Sequence, residues 1–258
     1  MLKHLGTKLV LTTALAGIAG VFLLSQSPQS NAQDAAFSAA QKDAMGGIIK
    51  DYLMENPQVI FDAIEAHREN EEIRQQEQAA NAIKDNIAKL TAADAPAYGA
   101  SAADADVTIV EFFDYNCGYC KRVLPDIAAI TKDDKKVRFV FKEMPILGPT
   151  SLSAAKWALA AKEQGKYFEY HSALMEHRGP KEEKNLEKLA EGLGLDVEKM
   201  KADANSDAIQ ALIDADVALA RTIGINGTPA FIVGETLYPG YIGEDGMKDA
   251  VKEARAAQ

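Results

Sequence analysis

The pattern of apolar and polar positions predicts two consecutive helices near the N-terminus. From Phe37 onward, apolar residues recur three or four positions apart, which is typical of an amphipathic helix. Asn56 can cap and Pro57 can occupy the first position of a second helix, which should run to about Leu90 and be on the order of 50 Å long. The apolar stripe of the first helix consists of Met45, Ile48, Ile49, Tyr52 and Leu53.

The second predicted helix has few apolar positions, and Glu69–Gln78 is almost wholly polar. Such a helix is either a solvated arm or an element completed by another copy of the chain. We predict that residues 37–95 form a helical oligomerisation arm and a linker; the alternative is that these helices fold back on the rest of their own chain. The expected contacts between copies are Ile48, Ile49, Leu53, Ile60 and Ile64.

Beyond the linker, short apolar runs alternate with helical patterns, which predicts an α/β domain over residues 96–258. Residues from about 150 to 223 are helical throughout and form an insertion. The linker holds one extended edge strand, and Pro239 confines the last strand to an edge or a bulge. The predicted elements are strand Val107–Phe113, a helix from Cys117 to about Ile130, strand Val137–Lys142, a strand ending at Val233, strand Leu237–Tyr241 and helix Glu244–Ala256.

The first 32 residues are typical of a secretory signal peptide. Lys3 and Lys8 give a positive start, Leu9–Leu24 is apolar, and small residues at Ser30 and Ala32 favour cleavage after Ala32. An uncleaved anchor is the alternative, because the apolar stretch is only slightly short of a membrane span. We therefore expect a protein that is exported to an oxidising compartment, most simply a bacterial periplasm.

Composition and charge limit the size of the core and the classes of partner that the protein can bind. With 258 residues and 47% apolar content, the chain can bury one substantial core plus an accessory region. The formal net charge is −10, and −12 without the first 32 residues. An acidic surface of this size disfavours nucleic acid and anionic membranes as partners.

The chain has two cysteines, Cys117 and Cys120, arranged as Cys-Gly-Tyr-Cys after the apolar run Val107–Phe113. A strand that leads through a short turn into Cys-x-x-Cys and a helix is the layout of a thiol–disulfide active site. The unpaired N–H groups at a helix start favour a thiolate at the first cysteine. Cys117 is the expected nucleophile, and Cys120 is the thiol that closes the disulfide.

A metal site and an inert structural disulfide are the alternatives to a redox-active dithiol. Structural zinc usually needs four ligands, whereas this sequence has no second Cys-x-x-Cys and its four histidines are scattered. We expect no metal and no other cofactor.

Three motifs carry a resemblance to a known family. The segments 111–121, 141–149 and 227–232 resemble, in order and spacing, the DsbA family of periplasmic thiol–disulfide oxidoreductases. Within that family the chain is most similar to the branch containing the suppressor-of-copper-sensitivity protein C and Com1-like proteins. The resemblance implies a thioredoxin fold with an inserted helical domain.

The resemblance also implies roles for individual residues. Cys117 matches the exposed nucleophile and Cys120 the buried resolving cysteine. Gly118 and Tyr119 replace the Pro-His pair of the strongly oxidising members and resemble the periplasmic disulfide isomerases. Pro229 matches the cis-proline that faces the dithiol, where it would present the Thr228 backbone to an extended substrate; without the family, Thr228-Pro229 would be an ordinary turn.

Glu111 lies six residues before Cys117 on a strand that is predicted to be buried. Its functional interpretation is a buried carboxylate that relays the proton of Cys120, with Lys142 on the neighbouring strand as a partner. The alternative is a simple charge at a strand edge.

Together these features predict an oligomeric periplasmic disulfide isomerase or reductase. Its substrates would be secreted proteins with cysteines, and a membrane thiol–disulfide reductase would keep it reduced. It would form a homo-oligomer, a dimer or a trimer. A DsbA-like dithiol oxidase is the rival within the same class, and a copper(I)-binding protein or holdase is the rival from another class.

Overall fold

The computed structural model describes residues 37–258, so the predicted signal peptide lies outside the described residues. Two helices come first, α1 (Ala39–Glu55) and α2 (Gln58–Leu90). Ser38 and Gln41 form a capping box at the start of α1, because each side chain bonds to the backbone N–H of the other. At the other end, the Asn56 N–H donates to the carbonyl of Tyr52 and closes the helix.

The chain divides into two compact units, with the boundary between Ile60 and Phe61. In the first unit, none of the described α1 residues is buried. The apolar stripe predicted from the sequence is present but lies at the surface: Ile48 is 69% exposed and Ile49 55%.

The second unit contains the sheet and the remaining helices. Its helices are α3 (Cys120–Asp133), α4 (Pro149–Lys162), α5 (Tyr167–Glu176), α6 (Glu183–Gly192), α7 (Val197–Ala204), α8 (Asp207–Ile223) and α9 (Gly243–Ala256). Its strands are β1 (Ala97–Gly99), β2 (Val107–Phe113), β3 (Val137–Glu143), β4 (Ala230–Val233) and β5 (Thr236–Pro239). Helices α4 to α8 form the predicted insertion between β3 and β4.

Within the described residues, the strands form one mixed sheet in the order β1-β3-β2-β4-β5. Strands β2 and β3 are parallel, and the other pairs are antiparallel. The linker strand β1 and the proline-containing strand β5 lie at the two edges, as the sequence predicts. Since β2, β3 and β4 are central and covered on both faces, their sequences are almost continuously apolar.

Each face of the sheet packs against its own hydrophobic core. One core contains the active-site helix α3, the insertion and α9. The other core is smaller and holds Ala79, Ile83 and Leu90 of α2 together with side chains of α8. Residues 79–90 of the predicted arm therefore form part of the interior of the second unit, where Ile83 and Leu90 are fully buried.

None of the helices in the part of the chain from 37 to 258 combines the length and apolar character that a membrane span requires.

Candidate active site

The active-site turn joins the end of β2 to α3 and is held by a buried carboxylate. Asp114 is 1% exposed, and its Oδ1 accepts from the Asn116 N–H at 2.7 Å and from the Ser151 hydroxyl at 2.7 Å. Its Oδ2 accepts from the Leu147 N–H at 2.9 Å. The first of these bonds is an Asx-turn, which orients the backbone toward Cys117. Asp114 therefore ties the turn to the segment that follows β3.

The sequence pattern predicts that the helix begins at Cys117, but in the structure it begins at Cys120. Cys117 consequently lies just before the first turn, and the Cys120 N–H donates to its Sγ at 3.3 Å. The Lys121 N–H donates to the Cys117 carbonyl at 3.3 Å. The unpaired N–H groups of the helix start thus face the sulfur of Cys117, which is the physical basis expected for a thiolate.

Hydrogen bonds strongly favour the ionised form of Cys117. The thiol of Cys120 makes the largest contribution, and the N–H of Cys120, the hydroxyl of Thr228 and the N–H of Tyr119 add to it. Burial acts in the opposite direction, but the combined effect lowers the pKa of Cys117 to about 5. Cys117 is therefore a thiolate at neutral pH, in the range of reactive cysteines.

Unlike Cys117, Cys120 has a pKa above the ordinary value of a thiol. It is 1% exposed, and burial is the main cause that raises its pKa; the hydrogen bond to Cys117 and the charge of Glu111 raise it further. The structure contains both cysteines as free thiols. The pair therefore combines a ready nucleophile with a thiol that must lose its proton before it can react.

Glu111 is fully buried on β2, and neither carboxylate oxygen has a hydrogen-bond partner among residues 37–258. Burial, and then the charge of Cys117, raise the pKa of Glu111 well above its usual range. A buried carboxyl group without a partner costs stability. Among the described residues it is a candidate to exchange a proton with Cys120, and it is not the strand-edge charge of the alternative interpretation.

The expected pairing of Glu111 with Lys142 is wrong. In the parallel register Glu111 lies opposite Phe141, and Lys142 lies opposite Phe112. Because successive side chains of a strand point to opposite faces, Glu111 and Lys142 are on different faces of the sheet. Lys142 instead forms an ion pair with Asp216 at 3.0 Å.

The loop before β4 faces the nucleophile. The Thr228–Pro229 peptide bond is cis, in agreement with the resemblance. When it is protonated, the Cys117 thiol donates to the Thr228 carbonyl at 3.3 Å, so this backbone group lies beside the reacting sulfur. A cavity of about 210 Å³ adjoins the loop and is lined in part by Thr228, Pro229, Leu237 and Pro239.

Glu143 is a second buried polar group that contacts the active-site turn, and the sequence did not predict its role. Glu143, 1% exposed, accepts from the Tyr167 hydroxyl at 2.9 Å and from the Tyr115 hydroxyl at 3.3 Å. Tyr115 also contacts His171 Nδ1 at 3.1 Å. Burial raises the pKa of Glu143 and lowers the pKa of His171 to about 3, so burial disfavours the charged form of each group.

The role of Asp114 was also missed, although the sequence contains a signal for it. An aspartate that ends a buried strand and precedes another polar residue by two positions is typical of an Asx-turn. Its partners Leu147 and Ser151 lie more than 30 residues after Asp114 in the sequence, and no local sequence pattern indicates these contacts.

Two family models match the chain. The DSBA-like thioredoxin domain covers residues 108–252, and the copper resistance protein ScsC N-terminal domain covers residues 41–80. The first match includes the strand, the dithiol, the insertion and the Thr-Pro loop described above.

Three solved structures extend the comparison. A thioredoxin-like oxidoreductase from Silicibacter pomeroyi is 41% identical, with 66% of this chain and 98% of that chain covered and a TM-score of 0.63. A linker-deletion variant of ScsC from Proteus mirabilis is 28% identical over 87% of this chain and 100% of that chain, with a TM-score of 0.63. A periplasmic thioredoxin-like protein from Salmonella enterica serovar Typhimurium is 30% identical over 66% and 95%, with a TM-score of 0.55.

The curated relatives are longer proteins. They are Na(+)/H(+) antiporters named NhaA, and the first, from Salinispora tropica, is 31% identical over 156 residues. The chain spans about a quarter of the length of these relatives. The domain match, the 41% identical structure and the geometry of the dithiol agree, and the chain belongs to the family with a DSBA-like thioredoxin domain.

Proposed function

We propose that the protein is a periplasmic thiol–disulfide oxidoreductase that isomerises or reduces wrong disulfides in secreted proteins as a homo-oligomer. The observation that carries this proposal is the state of Cys117, a thiolate with a pKa of about 5 beside the Thr228 carbonyl. A thiolate is the attacking species in disulfide exchange.

The reaction begins when the Cys117 thiolate attacks a substrate disulfide. A bond forms between the Cys117 Sγ and one substrate sulfur, the substrate disulfide breaks, and the other substrate sulfur leaves as a thiolate. In isomerisation, a second substrate thiolate then attacks the mixed disulfide and regenerates Cys117, so no electrons are transferred overall.

In reduction, Cys120 resolves the mixed disulfide. Its thiol loses a proton, its sulfur bonds to Cys117, and the substrate leaves as a dithiol after gaining two electrons. Glu111 is the proposed proton acceptor, because its charge acts on Cys120 and its oxygens have no other partner in the described part of the chain. Reduction then needs a dithiol reductant, proposed to be a membrane thiol–disulfide reductase, to restore both thiols.

The exposed apolar side chains of α1 support assembly. Burial of an apolar side chain gains about 0.8 kcal/mol per methylene, so Ile48 and Ile49 favour contact with another copy of the chain. An oligomer would place several thiolates around one misfolded substrate. The match to the ScsC N-terminal domain over residues 41–80 covers the same segment.

The experiment that tests the proposal compares the reduced form and the disulfide form of the mature protein. A scrambled multi-disulfide protein should regain its native disulfides when the reduced form is added, and a reduced unfolded protein should be oxidised only slowly by the disulfide form. If oxidation by the disulfide form is fast and no unscrambling occurs, the protein is a dithiol oxidase and the isomerase proposal fails.

A copper(I) role rests on the two soft sulfur ligands of Cys117 and Cys120 alone and is the second candidate. Titration of the reduced protein with copper(I), beside the unscrambling assay, separates the two: stoichiometric tight binding without unscrambling would favour a binding protein.

A further inference from the structure

The exposed large apolar side chains of residues 96–258 are concentrated around the dithiol. They are Tyr98, Tyr119, Ile146, Leu147 and Leu212. Three of these five lie in segments next to the active site, because Tyr119 stands between the two cysteines and Ile146 and Leu147 follow β3. Single exposed apolar residues are common on protein surfaces, whereas neighbouring ones mark a surface that binds something.

The order of the strands places the segment after β3 next to the active-site turn. Strands β2 and β3 are parallel and end at the same edge of the sheet, where Phe113 lies opposite Glu143. On the other side of β2, the antiparallel strand β4 begins at that edge, where Ala230 lies opposite Phe112. Neighbouring strands are about 4.8 Å apart. The segment after β3 and the Thr-Pro loop before β4 therefore flank the turn on opposite sides.

Hydrogen bonds fix the segment after β3 against the turn. The N–H groups of Leu147 and Asn116 bind the two oxygens of the Asp114 carboxylate at 2.9 and 2.7 Å, so the two nitrogens are at most about 8 Å apart. The Asn116 side chain also donates to two hydroxyl groups in the first turn of α4, at 2.9 and 2.8 Å. Since Cys117 directly follows Asn116, Leu147 lies beside the nucleophile.

The backbone of this segment is held in place, whereas its apolar side chains are exposed. Ile146 is 44% exposed and Leu147 52%. The Ile146 N–H donates to the Met144 carbonyl at 2.9 Å, and the Leu147 N–H is held by Asp114. A surface on an ordered backbone loses little conformational entropy when a ligand covers it, and covering apolar surface removes it from water. The two side chains are therefore suited to bind an apolar group.

A substrate that is attacked by Cys117 extends over this segment. The Thr228 carbonyl lies 3.3 Å from the Cys117 sulfur on one side of the turn, and Ile146 and Leu147 lie on the other. An extended peptide advances about 3.3 Å per residue, so a side chain two or three residues from the attacked cysteine is about 7–10 Å away from it. This distance is of the same size as the separation that the hydrogen bonds allow between Leu147 and Asn116.

We propose that Ile146 and Leu147 form an apolar subsite that takes a large apolar side chain of the substrate polypeptide, two or three residues from the attacked cysteine. Such side chains are mostly buried in native proteins and become exposed in misfolded ones. The subsite directs the Cys117 thiolate to disulfides in misfolded segments. This inference rests on the proposed function, because it names the substrate class of the same site.

The test uses symmetric disulfide-linked peptide dimers that carry either leucine or asparagine, two or three residues to either side of the cysteine. The rate constant for attack by the reduced mature protein is measured at low and high salt. We expect the leucine peptide to react about tenfold faster in at least one position, as partial burial of a leucine side chain should give. The preference should persist at high salt, which screens charges and does not weaken apolar contacts. Equal rates at every position would overturn the subsite.

Matched variants separate a local subsite from general apolar attraction. The double variant Ile146→Ser and Leu147→Ser should lose most of the leucine preference, and Leu147→Ser alone should lose part of it and serves if the double variant does not fold. Leu147→Met keeps an apolar side chain and should retain the preference. Leu212→Ser is the control at an exposed leucine of α8 and should retain it too. A preference that survives the serine variants, or an equal loss in Leu212→Ser, would contradict the proposal.

Binding of the same peptides with serine in place of cysteine distinguishes this inference from the proposed function. Tighter binding of the leucine–serine peptide without any disulfide exchange would support the subsite and contradict the enzymatic function. Exchange without any difference in binding or rate would support the function and contradict the subsite.

Discussion

The two compact units differ in where their apolar side chains lie. In the second unit, every residue of β3 and β4 is buried, and the sheet is covered on both faces. In the first unit, α1 has an apolar stripe of correct helical period, yet none of its residues is buried. The second unit therefore encodes its own interior and the dithiol, whereas α1 leaves its apolar stripe exposed, which is the basis of the proposed assembly. The predictions below separate these two roles.

The largest effect is expected from the dithiol. Cys117→Ser removes the thiolate that attacks the substrate, so both isomerase and reductase activities should be lost entirely. Cys120→Ser keeps the attacking thiolate but removes the resolving thiol, so mixed disulfides should accumulate and be detectable by mass spectrometry. The reverse pattern, with mixed disulfides trapped by Cys117→Ser, would contradict the assignment of the two roles.

A smaller effect is expected from Glu111. Glu111→Leu removes the proposed proton acceptor and should slow resolution by Cys120 about 100-fold, the lower end of general acid–base catalysis. The same substitution should raise the free energy of unfolding by about 1–3 kcal/mol, because it replaces a buried carboxyl group without partners. Rapid-quench kinetics of the mixed disulfide and urea denaturation measure the two effects.

A purely structural role for Glu111 predicts a different combination. Glu111→Leu would then lower stability and leave the resolution step unchanged. Under the proposed role, the variant resolves the mixed disulfide more slowly and has a higher free energy of unfolding. A lower free energy of unfolding with unchanged resolution would therefore contradict that role.

The exposed apolar stripe of α1, which is the proposed assembly surface, should affect the unscrambling activity only. The double variant Ile48→Glu and Ile49→Glu places charges on the apolar stripe, so it should convert the oligomer to a monomer. Unscrambling should fall about tenfold, while reduction of a small disulfide should not change. Ala40→Glu adds charge at another exposed position of α1 and is the control.

Light scattering on the mature protein reports the assembly directly. A monomeric wild-type protein would contradict the role proposed for α1 and would favour the oxidase alternative. A truncation is a poorer test, since residues 79–90 of α2 belong to the core of the second unit.

The smallest effect is expected from a substitution of Asp114 in the active-site turn, which should change stability. Asp114→Asn replaces a carboxylate that accepts three hydrogen bonds with a group that carries two donors, so at least one buried donor loses its partner. The free energy of unfolding should fall by about 1–3 kcal/mol. Asp85→Asn, at an exposed position of α2, should leave stability unchanged within error; equal losses in both variants would contradict the proposed role of Asp114.

The sequence predicted the elements better than the contacts between them. The positions of β2 and β3 were predicted from continuous apolar runs, because a strand that is buried on both faces consists almost entirely of apolar residues. The same pattern could not place Glu111 relative to Lys142, since a shift of one residue in the register between two strands reverses the face.

Contacts at long sequence separation limited the prediction of the site in the same way. The dithiol and the Thr-Pro loop were predicted from motifs, whereas the partners of Asp114 and Glu143 come from segments 24 to 37 positions away. The burial of Ile83 was equally hidden, because a mostly polar helix gives little sign that one end is covered.

The pKa of Cys117 also predicts how pH affects the reduced protein. Its folded-state pKa of about 5 is lower than the ordinary thiol value of 9.0. A lowered pKa stabilises the folded reduced form fully above pH 9, and this stabilisation is lost as the pH falls toward 5. Reduction should therefore become less favourable for the active-site disulfide between pH 9 and pH 5, relative to a pair of ordinary thiols.

The most direct test of the account is the pH dependence of Cys117 alkylation. The rate of iodoacetamide reaction is followed for each cysteine from pH 3 to 9 in the wild-type protein and in the Ile48→Glu, Ile49→Glu variant. The account predicts a midpoint near pH 5 for Cys117 in both proteins and negligible reaction of Cys120. A midpoint near the ordinary thiol value, equal rates for the two cysteines, or a midpoint that shifts with the state of α1 would contradict it.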